Sequence, residues 1–215
     1  MPARRRLFII GASNFGRELE SWLELIPPEG RDWEIAGYLH SFQGESPLMD
    51  YPSDYDIVGE WESYPYRDTD LCIISVADVD WKKRIFQELS DKVSFYTYIA
   101  PTATIGKFVT IGLGSIICPH CILTTNICIG ACVTLNIGTR IGHDVSIGDY
   151  SSIMSNVVVS GKCTISEQVY IGSSAVLIPE RKIGQHATVG AGSVVIVDVK
   201  GKTTVFGNPA MIVKY

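Results

Sequence analysis

Every sixth position from Ile99 to Val195 is isoleucine, leucine or valine, seventeen positions in succession with no insertion. A period of six does not fit a helix, and the turn clusters of a hairpin array are missing. A second series runs four residues behind the first, from Ala103, Val109, Ser115 and Cys121 to Ala187 and Ser193. It is small or β-branched at fifteen of sixteen places, Arg181 being the exception. Glycine often follows the aliphatic residue, as at Gly106, Gly130, Gly142, Gly172, Gly184 and Gly190. A repeat this short is the mark of a parallel β-helix. Each hexapeptide makes one flat face and one corner, the aliphatic side chain points inward, and the small residue fills the space beside the corner. Three faces close a coil, and coils stack about 4.8 Å apart, so residues 99–195 build roughly five coils over about 25 Å.

The first part of the chain has a different character. Residues 1–98 carry 10 Lys+Arg and 18 Asp+Glu, a net of −8, while residues 99–215 carry 8 and 5, a net of +3. All four tryptophans (Trp22, Trp33, Trp61, Trp81) precede residue 98. Both shifts predict two domains, 1–98 and 99–215. Strands are expected at 6–10 (RLFII), 33–39 (WEIAGYL) and 71–77 (LCIISVA). Helices are expected after "GASNFG" (11–16), ending at Pro27-Pro28, and over 81–89, with "VSFYTYI" (93–99) leading into the prism. Strand–helix alternation implies a small α/β, Rossmann-like domain with a parallel sheet. The loop is G-x-x-x-x-G without a P-loop lysine, so it is no dinucleotide fingerprint. Amides around Ser13 at a helix N-terminus still suit a phosphate.

No apolar run approaches the roughly 20 residues of a membrane helix, and Leu7–Ile10 is shorter than the roughly 7–15 residues of a signal h-region. The chain therefore reads as cytoplasmic, without membrane insertion. The total charge of −5 argues against nucleic-acid binding. Cys118 and Cys121 form a CxxC with no second half, and Cys121 and Cys163 fall on the inward small phase. No metal site is expected.

His143 and Asp144 interrupt the repeat in "RIGHDVSIGDY" (140–150). The phase of His143 also holds Lys107, Pro119, Thr125, Asp149, Ser155, Glu167 and Gln185, so it faces outward. A neutral surface imidazole beside a carboxylate is what a general base needs: the ring takes a proton from an attacking amine or hydroxyl, and the carboxylate orients it. The same pair also fits an ordinary solvated surface. His120 and His186 lack an adjoining carboxylate and read as ordinary surface residues.

The hexapeptide pattern resembles the hexapeptide-repeat acyltransferases, whose prism is a left-handed β-helix. "HDVSIG" matches the histidine-plus-carboxylate setting of the sugar-modifying members, and "VFGNPAMIVKY" (205–215) is similar to the family's ending. An α/β domain ahead of the prism resembles the branch containing bacillosamine- and perosamine-type N-acetyltransferases and sialic acid O-acetyltransferases. The resemblance implies His143 as base, Asp144 as its partner and the Gly161 amide at the oxyanion. It implies acetyl-CoA in a groove between subunits of a homotrimer, with Ser152 near the thioester and Gly172, Ser173, Gly190 and Ala191 along the pantetheine arm. In the front domain it implies a sugar nucleotide at Ser13, Asn14 and Phe15, with His40 and Ser41 where relatives carry acidic residues and Ala77 where they carry glycine.

The resulting expectation is an acetyl-CoA-dependent acetyltransferase acting on the amine of a nucleotide-linked amino sugar. An O-acetyltransferase of sialic acid or another glycan sugar, and a non-catalytic β-helix assembly protein, are the alternatives. A γ-class carbonic anhydrase uses the same prism, but the three histidine ligands at that family's spacing are missing.

Overall fold

The computed structural model describes residues 4–41, 48 and 51–213. The chain divides into two compact units, Met1–Val76 with Arg84–Tyr96, and Ala77–Lys83 with Thr97–Tyr215. The chain passes from one unit to the other at Val76/Ala77, Lys83/Arg84 and Tyr96/Thr97, so a short stretch within residues 1–98 belongs with the second unit.

The first unit is a five-stranded parallel sheet. Its strands are β1 (Arg5–Ile10), β2 (Trp33–Leu39), β3 (Ile57–Gly59), β4 (Leu71–Ile74) and β5 (Ser94–Phe95), in the order β3-β2-β1-β4-β5. Leu7 to Ile10 on the central strand are buried, as a strand covered on both sides requires. Helix α1 (Asn14–Glu24) buries Leu19 and Leu23 and stops before Pro27-Pro28. Helix α2 (Val79–Leu89) contributes residues to both units.

Two expectations here need correction, and one strand is added. Strand β4 ends at Ile74 rather than residue 77, because the Ser75 hydroxyl donates to the carbonyls of Ile10 and Gly11 at 2.9 and 2.7 Å and turns the chain. Helix α2 starts before residue 81, because Asp78 Oδ1 accepts from the amides of Asp80 and Trp81 at 3.0 and 2.9 Å and caps the first turn. Strand β3 was not foreseen; its three residues are too few to show a period.

The second unit is a left-handed-type parallel β-solenoid, opposite in hand to the usual parallel crossover. Its first face stacks Tyr98–Ile99, Ile116–Ile117, Thr134–Leu135, Ser152–Ile153, Tyr170–Ile171, Thr188–Val189 and Thr204–Phe206. The second face stacks Thr104–Ile105, Ile122–Leu123, Arg140–Ile141, Val158–Val159, Val176–Leu177 and Val194–Val195. The third stacks Val109–Ile111, Ile127–Ile129, Ser146–Ile147, Thr164–Ile165 and Lys182–Ile183. The aliphatic residues from Ile117 to Val195 are buried. So are Cys121 and Cys163, whose thiols donate to coil carbonyls at 3.2 and 3.3 Å.

Corners turn on residues in the left-handed region, at Asn126 (φ 53°), Asp144 (61°), Lys162 (60°) and Glu180 (68°), for example. That conformation costs an L-residue about 1–2 kcal/mol. Each of these amides is aimed at the coil below: Asp144 N–H donates to Thr125 O at 3.1 Å and Lys162 N–H to His143 O at 2.8 Å.

The repeat fails at both ends for physical reasons. Ile99 and Ile105 were expected inward but are 41% and 36% exposed, because the first coil has a neighbouring coil on one side only. Beyond Val195 the prism continues, but Thr188 pairs with Thr204, an offset of 16 residues instead of 18, so the sequence phase is lost. Thr204–Phe206 then turns back as a hairpin with Met211–Ile212. Lys214 and Tyr215, the end of the expected tail, lie outside the described residues. No helix among the described residues is long and apolar enough to cross a membrane.

Candidate active site

His143 and Asp144 sit on the edge between the second and third faces, one on each side of the corner. In a straight strand neighbouring side chains point to opposite faces. The left-handed turn at Asp144 reverses this and brings the two side chains together, with His143 Nδ1 2.7 Å from Asp144 Oδ2. Asp144 Oδ1 also accepts from Asn126 Nδ2 at 2.6 Å. The Asn126 hydrogen bond, and then that of His143, hold the carboxyl below its ordinary pKa. An ionised carboxylate at Nδ1 places the ring proton there and leaves the Nε2 lone pair facing out. The His143 side chain is 57% exposed, as its phase predicted.

One coil further along the same edge is Gly161. A β-carbon there would fall 2.5 Å from His143 Nε2 and 2.6 Å from Cε1. The imidazole therefore occupies the space a side chain at 161 would fill. Among the described residues no acceptor takes the Gly161 N–H.

Gly172, Ser173, Gly190 and Ala191 form two successive rungs of another edge, between the first and second faces. Gly172 and Gly190 have structural reasons to be glycine. A β-carbon on Gly172 would meet the Ala191 amide nitrogen at 2.5 Å, and one on Gly190 would meet the Phe206 ring at 2.0 Å. Ser173 is half-buried and Ala191 exposed. This edge and that of His143 bound opposite sides of the second face, about six residues and at most roughly 20 Å apart along a strand. One chain does not unite them.

Ser152 requires correction. It is fully buried, and its hydroxyl is occupied: it accepts from Lys82 Nζ and donates to Ala77 O, both at 2.7 Å. Its outward position on the first face is covered by the Ala77–Lys83 stretch, so it presents nothing to a thioester. Ala77 offers Ser152 its carbonyl and belongs to the second unit, apart from the other expected acceptor residues. His186 is corrected too. Its carboxylate partner is distant in sequence: Asp80 Oδ1 lies 2.8 Å from His186 Nε2.

In the first unit, Ser13, Asn14 and Phe15 open α1 directly after β1, and His40 and Ser41 follow β2. All five therefore lie at the carboxyl ends of parallel strands, where open α/β sheets bind ligands. The Ser13 side chain makes no cap bond. Asn14 Oδ1 accepts from Arg17 at 2.8 Å, and Phe15 packs edge-on to Trp22. His40 Nδ1 is 3.5 Å from the Ala12 amide, and burial, opposed by Glu62, lowers the His40 pKa. Ser41 donates to Glu62 at 2.6 Å.

Sequence reasoning missed Lys82, Asn126 and Glu62. Asn126 was within reach, since it lies one coil of 18 residues before Asp144 and so must stack beside it. Among the described residues no cluster of three His, Cys, Asp or Glu is arranged to hold a metal.

Comparison with solved structures extends over 97–98% of the chain. Perosamine N-acetyltransferase from Caulobacter crescentus, solved as a mutant in complex with CoA and GDP-perosamine, matches with a TM-score of 0.86 at 20% identity, covering 97% of both chains. The acetyltransferase domain of PglB from Neisseria gonorrhoeae FA1090, in complex with acetyl coenzyme A, matches with 0.81 at 22% identity, covering 98% of this chain and 100% of that one. WeeI from Acinetobacter baumannii AYE matches with 0.84 at 28% identity, covering 97% and 100%. This chain has their fold. No protein-family profile and no curated protein sequence matches it.

Proposed function

We propose that the protein transfers acetyl from acetyl-CoA to the amine of a nucleotide-linked amino sugar. The observation that carries this reading is the His143–Asp144 pair, exposed on a prism edge with Nε2 free to take a proton. Support comes from the solved neighbours, one holding CoA and GDP-perosamine and another acetyl coenzyme A.

In this mechanism the neutral amine attacks the thioester carbonyl, and His143 Nε2 takes its proton as the new C–N bond forms. Asp144 holds the opposite ring nitrogen and stabilises the imidazolium. The Gly161 N–H meets the carbonyl oxygen as it gains charge. The intermediate then expels the CoA sulfur, which recovers the proton from His143. General base assistance of this kind contributes roughly 10²–10⁴ in rate.

The assembly that fits this chemistry is a homotrimer. If the second face of each prism points at the three-fold axis, the His143 edge of one subunit meets the Gly172–Ala191 edge of the next. The second face suits burial: Val158, Val176 and Val194 are half-exposed there and Ile122 is 40% exposed. The third face is polar, with Thr110, Cys128, Ser146, Thr164 and Lys182 outward, and the first is partly covered by Ala77–Lys83. Acetyl-CoA then runs past Ser173 and Ala191 of one subunit towards His143 of its neighbour. The first unit, read as a Rossmann-like domain, takes the nucleotide at Ser13, Asn14, Phe15, His40 and Ser41. The six cysteines are free, which fits the reducing cytoplasm.

The test is a panel of nucleotide-linked amino sugars and free sialic acids incubated with acetyl-CoA and read by mass spectrometry. Acetylation of an amine supports the proposal. Acetylation of a sialic acid hydroxyl replaces it with O-transfer, and failure to bind acetyl-CoA at all leaves a non-catalytic assembly protein.

A further inference from the structure

Three charged residues fasten the Ala77–Lys83 segment to the first face of the prism. Asp80 Oδ1 accepts from Gln168 Nε2 at 2.8 Å and lies at the same distance from His186 Nε2. Lys83 Nζ donates to Gln168 Oε1 at 2.8 Å. Between them Lys82 turns inward and is 1% exposed. Its Nζ donates to Thr134 Oγ1 at 3.0 Å, Ser151 O at 3.2 Å and Ser152 Oγ at 2.7 Å. The nitrogen finds three oxygens within hydrogen-bond distance: all three accept from the ammonium, and the Thr134 hydroxyl can donate to the lone pair of the neutral amine instead. The relay continues outward, because the Ser152 hydroxyl donates to Ala77 O at 2.7 Å.

An apolar side chain would fill this space without the cost of desolvating an amine. It would not fix a direction. A cage of three acceptors on two neighbouring coils does, and its last link is the carbonyl of a candidate acceptor-binding residue.

We infer that Lys82 is a positioning residue: enclosed by Thr134, Ser151 and Ser152, it fixes the Ala77–Lys83 segment on the prism and, through Ser152, the direction of the Ala77 carbonyl. The consequence for acceptor binding rests on the acetyltransferase reading; the anchoring does not. The titratable or charged groups facing the amine are Asp78 on its own segment and Cys118 and Cys132 from the prism. Burial pushes the Cys132 thiol up to about 12, which keeps it neutral, and brings the Lys82 amine down to about 7. An open segment returns the amine to water and its ordinary high pKa. Linkage therefore makes closure more favourable as pH rises above about 7.

The experiment is hydrogen–deuterium exchange on the intact protein, corrected for intrinsic rates, from pH 7 to pH 9. It compares wild type, Lys82→Met and Lys82→Met/Thr134→Val. The double variant removes both partners of one hydrogen bond and so avoids a stranded hydroxyl. In wild type, protection of residues 77–83 rises with pH. In both variants it falls by about tenfold or more and loses its pH dependence, while the prism strands keep theirs. In parallel, calorimetry with acetyl-CoA gives a Kd within about twofold of wild type, and KM for the best acceptor of the panel rises roughly 10–100-fold. Unchanged protection at 77–83 in both variants overturns the inference, as does a loss of donor affinity equal to the loss for acceptor. A wild type inert towards the whole panel defeats the acetyltransferase reading, and the exchange data still decide the role of Lys82.

Discussion

Gly161 is the bed on which the His143 imidazole rests: a β-carbon there would lie 2.5 Å from Nε2, with ring atoms as its three nearest neighbours. Gly161 is not in the left-handed region, so alanine meets no backbone strain there. Gly161→Ala is therefore expected to displace the exposed ring and spare the coil. Thermal melting should show a stability change within about 1 kcal/mol. The value of kcat should fall about 10²-fold, as a misplaced catalytic group requires.

The dyad itself grades three substitutions. His143→Ala makes no core cavity and should lower kcat by roughly 10²-fold or more with acetyl-CoA affinity retained. Asp144→Asn should cost less, since the ring stays in place. Asn126→Ala removes the largest cause of the depressed Asp144 pKa. The carboxyl then protonates at higher pH, so the acid limb of the kcat–pH profile should move to higher pH while the rate at pH 8 changes little. An acid limb unmoved by Asn126→Ala would separate Asp144 ionisation from turnover.

Lys82 sets a pH dependence of stability. Burial brings its amine in the folded protein down to about 7 from the ordinary value of 10.5. Between those values the unfolded chain binds more protons, so stability rises with pH, by at most about 1.4 kcal/mol per pH unit. Below about pH 7 both states are protonated and the dependence from this residue vanishes. Urea unfolding of wild type from pH 7 to pH 9 should show this slope, and Lys82→Met should flatten it.

Val176 is half-exposed on the second face, stacked between Val158 and Val194. Val176→Glu should leave the prism folded by circular dichroism and yield monomers in sedimentation. Those monomers should lack activity even though each retains His143.

The prism was readable because its rule is local and unbroken: each aliphatic residue predicts the next until the coil shortens after Val195. The outward placement of His143 came from the same phase. Strand β2 coincides with its expected span because "WEIAGYL" is apolar apart from the exposed Glu34, whereas β3 is too short to carry any pattern. Lys82 was hidden for a different reason. In "WKKRIFQEL" it is one of two adjacent lysines on a helix, and nothing local separates them. Its burial is decided by Thr134 and Ser152, hydroxyls from two coils that become neighbours only when the coils stack.

The corner that joins His143 to Asp144 recurs along every edge. At Thr125-Asn126, Gly161-Lys162 and Pro179-Glu180 the second residue has the same left-handed φ as Asp144. At His143-Asp144 this corner turns two residues adjacent in the chain towards one another at the surface. A prism edge is thus a rack of ready-made sockets for reactive pairs, spaced by one strand separation. Moving a histidine–carboxylate pair along it needs only two substitutions and a glycine in the next socket. A fold built this way can relocate its chemistry by whole coils without rebuilding its core.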